Sequence, residues 1–228
     1  MQKTTDIKRT EKTRLAYQQE KALMSSTDIK TFDLEKEEVL KRFDYWAVIP
    51  NKFPYDFVFG THHLLVPIRC FAGPGDMFDY ELVELVKIKE GFGIYGEYDG
   101  FFENLPHKRS IPGHFHIHLM KWEEDFSELS QRFTDTDFDD IDNKVRSFNH
   151  WLIIKNNQRC ENVFAEHHML IPKRQLQGPS DITPEERQEL VDIKTLLGDE
   201  KAYHGLFESW PLPKSFCIHF WKWAQREI

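Results

Sequence analysis

This chain is short of cysteine, of long apolar runs and of positive charge. Its three cysteines, Cys70, Cys160 and Cys217, form no CxxC pair, and an odd scattered set argues against a disulfide framework. No apolar run approaches the roughly 20 residues that span a bilayer. Thirty Lys and Arg stand against 38 Asp and Glu, for a net charge of −8. No global basic field therefore draws the chain onto nucleic acid. The opening residues, MQKTTDIKRTEKTRLAYQQEK, hold no apolar segment of signal-peptide type. A reducing cytoplasm is the expected setting, without a membrane or nucleic-acid partner.

What the chain does have is a second copy of itself. Phe43–Pro106 aligns with Phe148–Pro211 at a constant offset of 105, with 26 identities in 64 gapless positions. His107–Ser110 have no counterpart. The match resumes at an offset of 101, where IPGHFHIHLMKW (111–122) lies over LPKSFCIHFWKW (212–223). His114, His116 and His118 thus fall over Ser215, Cys217 and His219. A period near 100 is too long for a solenoid and fits duplication of a domain. Loss of two of three histidines from one copy suggests one working site and one scaffold.

Residues 1–30 read as a polar arm, frayed or docked on a partner, with a thinly apolar helix over Arg9–Leu23. Asp33–Phe43 (DLEKEEVLKRF) reads as a helix capped by Asp33. Residues 31–122 then form the first unit, 123–144 an acidic surface linker (DTDFDDID), and 145–228 the degenerate repeat. Within each unit short strands come first (45–50 and 62–67; 151–155 and 167–172). A helix follows (Phe78–Lys89; Pro184–Leu197), then another strand (101–103; 206–208) and a last strand carrying the histidine positions. Thr183-Pro184-Glu185-Glu186 is a strong helix start.

His114, His116 and His118 alternate with Phe115 and Ile117. On a strand the three imidazoles share one side and the apolar residues face the core. A metal centre is one use of such a set, but i, i+2 and i+4 on a flat strand span about 13 Å, which is too far for one ion without severe bending. Two of the histidines with a distant ligand remain an alternative. The loop Asn104–Gly113 (NLPHKRSIPG) points instead to phosphate, because Asn104, His107, Lys108, Arg109 and Ser110 are donors suited to its oxygens. The copy that lost two histidines also lost HKRS from this loop, as expected if both served one anionic ligand.

HFHIHLM resembles the signature of the histidine triad family of nucleotide hydrolases and transferases. Asn51-Lys-Phe-Pro-Tyr55, followed by His62-His-Leu-Leu-Val-Pro67, is similar to that family's upstream block. The resemblance covers about 35–122, with a degenerate second pass over about 140–223. It implies an α+β fold of two units with antiparallel sheets, forming a pseudo-dimer within one chain, and so a monomer. The two-halved galactose-1-phosphate uridylyltransferase branch is similar, but Phe115 and His118 depart from its proline and glutamine and favour the hydrolase-like branches.

The resemblance also implies roles. His116 attacks the α-phosphorus of a nucleotide conjugate, such as a dinucleoside polyphosphate or nucleoside phosphoramidate, and forms a nucleotidyl-histidine. His118 and His62 orient the phosphoryl group, and His114 helps set the tautomer of His116. Asn51 contacts ribose, Phe53 and Tyr55 wall the base, and Asn104, Lys108, Arg109 and Ser110 meet phosphate. No metal or cofactor is expected. Ser110 sits four residues before His114, where the family has three, and three extra residues precede His62. His63 reads as structural, and Cys217 stands unsupported as a nucleophile. A nucleotide-binding or sensing module without turnover is the alternative, and a histidine-ligated metalloprotein the next.

Overall fold

FGTHHLLVP and FAEHHMLIP, each ending in an apolar run, make two nine-residue strands at repeat-equivalent positions, and a single sheet grows from them. The computed structural model describes residues 4–6, 8–23, 32–111, 113–126, 144–156, 163–176, 178–209 and 216–227. In chain order these hold β1 (Thr4–Asp6), α1 (Glu11–Leu23), β2 (Lys41–Arg42), β3 (Trp46–Pro50), β4 (Phe59–Pro67), α2 (Asp79–Ile94), β5 (Gly100–Asn104) and β6 (Ile117–Trp122). They continue with β7 (Lys144–Ser147), β8 (Trp151–Lys155), β9 (Phe164–Pro172), α3 (Pro184–Asp199), β10 (Gly205–Ser209), β11 (Ile218–Trp223) and β12 (Gln225–Glu227). The fold is α+β. Ten strands form one antiparallel sheet in the order β2-β3-β4-β6-β5-β10-β11-β9-β8-β7, and β1 pairs with β12 apart from it. No described helix is long and apolar enough to cross a membrane.

That strand order is the same read from either end once each strand is replaced by its repeat equivalent. The centre explains why. Across β5 and β10, Phe102 stands opposite Phe207, its own counterpart at offset 105, and the flanking pairs are Glu103 with Leu206 and Phe101 with Glu208. Equivalent residues thus exchange places about this point. Gly100 and Gly205 let the strands approach: a Cβ on Gly100 would fall onto the Phe207 ring and 2.7 Å from the Glu208 carbonyl oxygen, and one on Gly205 would lie 2.7 Å from the Glu103 carbonyl oxygen.

Both faces of the sheet are covered. On one, α2 buries Leu85, Ile88 and Phe92 against Trp46, Leu65, Phe101, Phe115, Ile117 and Leu119. Here α3 does the same with Leu190, Ile193 and Leu197 against Trp151, Leu170, Leu206, Ile218 and Phe220. Thr183 caps α3, its hydroxyl accepting from the Glu186 amide at 3.3 Å while the Glu186 carboxylate accepts from the Thr183 amide at 2.9 Å. The opposite face carries an aromatic cluster shared by the two halves, including Tyr55, Phe59, Phe102, Phe164, Phe207, Trp221 and Trp223.

Three sequence expectations change. Asp33–Phe43 is no helix: Asp33 accepts one turn's worth of amides, from Lys36 and Glu37, and the chain then extends into β2. Its apolar residues Leu34 and Val39 pack with Phe32 on Ala47, Ile49, Leu64 and Val66, so the sheet rather than a helical stripe claims them. The histidine strand starts at Ile117, leaving His114 and His116 in the irregular chain before it. The alternation survives, because Phe115 donates its amide to Phe71 O at 2.6 Å and packs with Ile117 and Leu119 on the helix side. Finally, the stretch around Thr10 and Thr13, expected to be frayed or docked on a partner, docks on this chain itself. Its residue Thr10 donates to Asp56 from both amide (2.9 Å) and hydroxyl (2.7 Å), and the Thr13 hydroxyl adds a third bond (2.6 Å). The acidic run at 135–142, Cys160 and Ser215 lie outside the described residues.

Candidate active site

The sheet brings β4 beside β6, and with it His62 beside His118: the register sets Leu64 against His118 and His62 against Met120. Neighbouring side chains on one face then meet diagonally, and His62 Nε2 lies 2.8 Å from His118 Nδ1. The Tyr55 backbone N–H donates to His62 Nδ1 at 2.8 Å, so that nitrogen holds no proton. Burial pushes both rings well below the ordinary histidine value and keeps them neutral. The His62 proton is therefore on Nε2 and is donated to His118 Nδ1, which leaves the His118 proton on Nε2. The Asn104 Nδ2 atom stands 2.8 Å from it. A half-turn of the amide supplies the acceptor His118 needs, and lets the same oxygen accept from the Tyr55 hydroxyl, whose distance to Nδ2 is 3.2 Å. Asn51 stands beside this chain: its Nδ2 lies 3.4 and 3.1 Å from the two His62 nitrogens, and its Oδ1 accepts from the Phe53 amide.

His116 is separate from this relay. Its Nδ1 lies 3.0 Å from the His114 carbonyl oxygen. A carbonyl only accepts, so Nδ1 carries the proton and Nε2 the lone pair. Burial, first among the causes, pushes the ring down to about 4. Near neutral pH it is an uncharged imidazole whose Nε2 accepts no hydrogen bond among the described residues. The His114 ring is fixed at both nitrogens by backbone: Nδ1 accepts from the Phe32 amide at 3.0 Å and Nε2 donates to Pro67 O at 3.1 Å. His114 thus acts on His116 through its carbonyl, not its ring. The rings of His116 and His118 are 5.1 Å apart, and Phe102 stacks on His118 at 4.0 Å with 3° between planes.

The remaining sequence candidates are divided. Asn104 lies within the relay. Tyr55 lies beneath it, 4 % exposed, stacked on Phe102 and His118, so it supports the histidines rather than walling a base. Phe53 is half-buried, edge-on to Tyr17. Lys108 and Ser110 are exposed. Arg109 is not the free anion donor its sequence position suggests. Its Nε donates to Asn104 O at 3.1 Å, Nη1 donates to Ala72 O, and Nη2 pairs with Glu103 Oε1 at 2.9 Å. Among the described residues, no three His, Cys, Asp or Glu side chains are placed to hold a metal ion.

Three groups at the site escaped the sequence reading. Phe32 lies edge-on to His114 at 5.0 Å and His116 at 5.6 Å. Arg9 and Lys8 lie over Tyr55 at 4.5 and 4.8 Å. Nothing local announces them, since all three come from far along the chain. Glu103 did carry a signal, because it recurs at the same offset as Glu208.

The second copy keeps the paired histidines without a counterpart of His116. His167 Nε2 lies 2.9 Å from His219 Nδ1, and Asn156 Nδ2 stands 3.2 and 3.4 Å from the His167 nitrogens. At the His116 position, Cys217 lies 3.4 Å from His219 Nε2, with burial pushing its thiol up to about 12. It is a protonated thiol, not a thiolate nucleophile. His63 and Tyr98 bond at 2.9 Å, and His168 and Tyr203 occupy the equivalent contact at 5.4 Å between rings.

No protein-family profile matches the chain, and no curated protein does. Among solved structures it is similar to a DUF4931 family protein from Bacillus cereus (11 % identity, TM-score 0.44, 82 % of this chain and 85 % of that one). It is also similar to a uridylyltransferase mutant (14 %, 0.44, 80 % and 77 %) and to yeast Ap4A phosphorylase Apa2 (16 %, 0.43, 96 % and 70 %). At these identities and TM-scores, no activity is carried over to this chain.

Proposed function

We propose that this chain is a nucleotide hydrolase or nucleotidyltransferase of the histidine triad kind. It is built as two such units, joined as an internal pseudo-dimer, of which only the first carries the full triad. The observation that carries the reading is the state of His116: proton on Nδ1, held by the His114 carbonyl, and a neutral Nε2 that accepts no hydrogen bond among the described residues. Such an imidazole is a competent nucleophile near pH 7. Nε2 forms a bond to the α-phosphorus of a dinucleoside polyphosphate or nucleoside phosphoramidate. The bond from phosphorus to the leaving oxygen or nitrogen breaks, and the leaving group departs with its electron pair and takes a proton from solvent. The positive charge left on the ring faces the His114 carbonyl. Water, or another acceptor, then attacks phosphorus, loses its proton, and releases neutral His116.

The His62–His118–Asn104 relay holds its polarity through Tyr55 and presents fixed dipoles beside the reacting group. Lys108 and Ser110, exposed on the neighbouring loop, are the donors for the non-bridging oxygens, and Asn51 lies at the ribose end. The wild type is expected to release nucleoside monophosphate, and protein quenched at alkaline pH is expected to carry one nucleotidyl group by mass spectrometry. His116→Ala is expected to do neither while keeping its melting temperature within a few degrees. Full release by His116→Ala would sink the proposal. A binding module without turnover has one observation in its favour: His116 is only 3 % exposed, with Phe32 beside it. Calorimetric nucleotide binding with no product would favour that reading.

A further inference from the structure

Two buried ion pairs cross between the halves, and they are copies of each other. Lys89 of α2 pairs with Glu208 of β10, and Lys194 of α3 pairs with Glu103 of β5. All four residues obey the offset of 105. The exchange follows from the centre of the sheet, where Phe102 faces Phe207 and so brings each glutamate under the other half's helix.

The copies differ in one respect. Lys89 Nζ holds both oxygens of Glu208, each at 2.8 Å. Lys194 Nζ holds only Glu103 Oε2, at 3.0 Å, because Arg109 takes Oε1. Arg109 belongs to the four residues present in one copy alone. Its Nε donates to the backbone carbonyl of Asn104, whose side chain meets His118 on the other face. Burial alone would push the Glu103 carboxyl up; Lys194 and Arg109, with a smaller contribution from the more distant Lys89, outweigh it and hold Glu103 below its ordinary value, as a carboxylate. The second half grips the same loop elsewhere. Leu105 packs within the α3 cluster, its amide donates to His204 O at 3.0 Å, and Gly198 leaves room for Pro106.

We infer that Lys194, from the copy without the triad, is a positioning residue for the site in the other copy: through Glu103 and Arg109 it holds Asn104 against His118. The inference rests on the function proposed above. Lys89 supplies the internal control, since among the described residues its partner Glu208 pairs with no second cation.

Electrostatics alone ranks the two lysines in the opposite order. Lys89→Met deprives Glu208 of its ammonium partner, whereas Lys194→Met leaves Glu103 with Arg109. Lys89→Met should therefore cost the more stability. If Lys194 positions the site, activity follows the reverse order. In the full chain, Lys194→Met is expected to lower kcat for nucleotide release about tenfold, with KM changed by less than about threefold. Lys89→Met should stay within about twofold despite its lower melting temperature, and Lys194→Arg should recover most of the loss. Should Lys89→Met fail to fold, Lys89→Met with Glu208→Gln replaces it. Ring-nitrogen NMR of His118 provides a readout independent of turnover. Lys194→Met should move the His118 signals and Lys89→Met should not. Equal losses from both lysines, or unmoved His118 signals in Lys194→Met, would overturn the inference. A wild type without turnover would sink the proposed function alone, and the His118 signals would still decide the role of Lys194.

Discussion

His167 Nε2 lies 2.9 Å from His219 Nδ1, the contact that His62 and His118 make at 2.8 Å in the other half. One pair stands beside His116 and the other beside Cys217. The bond therefore belongs first to the architecture, and the proposed function puts it to chemical use only beside His116. His167→Ala and His62→Ala each leave a buried ring nitrogen without its partner, and each is expected to cost about 1–3 kcal/mol of stability. They should part in activity, with nucleotide release slowed by the His62 change and untouched by the His167 change. Equal activity in both variants would mean that the relay serves the fold alone.

The rate should be insensitive to pH through the range where an ordinary histidine titrates. In the proposed reaction His116 attacks as a neutral imidazole, and burial holds it at about 4, so protonation would silence it only far into acid. A profile of kcat/KM is expected to be level from pH 8 to 6 and to fall towards pH 4. An acid limb centred near 6.5 would show that His116 is not the group held down by burial.

Stability should move differently. His62, His116, His118, His167 and His219 are all pushed below the usual histidine value, burial first among the causes, His167 to about 3. Each takes up a proton near 6.5 in the unfolded chain, which therefore binds more protons than the folded one across the interval between. The stabilisation is complete above about 6.5 and is lost as pH falls from there through the folded values. Melting temperatures by calorimetry should hold steady between pH 8 and 7 and drop between pH 6.5 and 5. A rise over that second interval would contradict neutral buried rings.

Gly100→Ala should be among the most damaging single-methyl changes in the chain. Its Cβ would meet the Phe207 ring and, at 2.7 Å, the Glu208 carbonyl, where neither the strand backbone nor a buried aromatic can yield. A loss of about 1–3 kcal/mol or more is expected from overpacking at the junction of the halves. Gly91→Ala is the contrast: it lies within α2 with nothing within 4 Å of its added Cβ, and should stabilise by about 0.4–1 kcal/mol. Chemical denaturation of both variants reads the difference, and similar effects would mean that β5 and β10 part easily.

Asp56 should decide whether α1 stays docked. Its carboxylate takes three bonds from Thr10 and Thr13 at the start of that helix. Asp56→Ala removes them, and amide exchange over 11–23 should accelerate while β4 and β6 stay protected. Unchanged exchange in α1 would assign the docking to Arg9 and the aromatic rings around it instead.

Much was legible in the residues because the relevant physics is local or is written twice. The recurring runs HHLLVP and HHMLIP mark β4 and its copy, Thr183 and Glu186 announce α3, and Phe115, Ile117 and Leu119 turn inward as their spacing requires. The internal repeat alone separates a triad-bearing copy from one without it. Only the tertiary structure decides where charges and protons go. Arg109 reads as an anion donor until Glu103, Asn104 and Ala72 surround its guanidinium; Lys194 acquires a role because β5 and β10 are neighbours; and Phe32 reaches His114 across 82 residues of chain. Such contacts are set by which strands pair and in what register, and no local periodicity encodes a partner that the sheet alone brings within 3 Å.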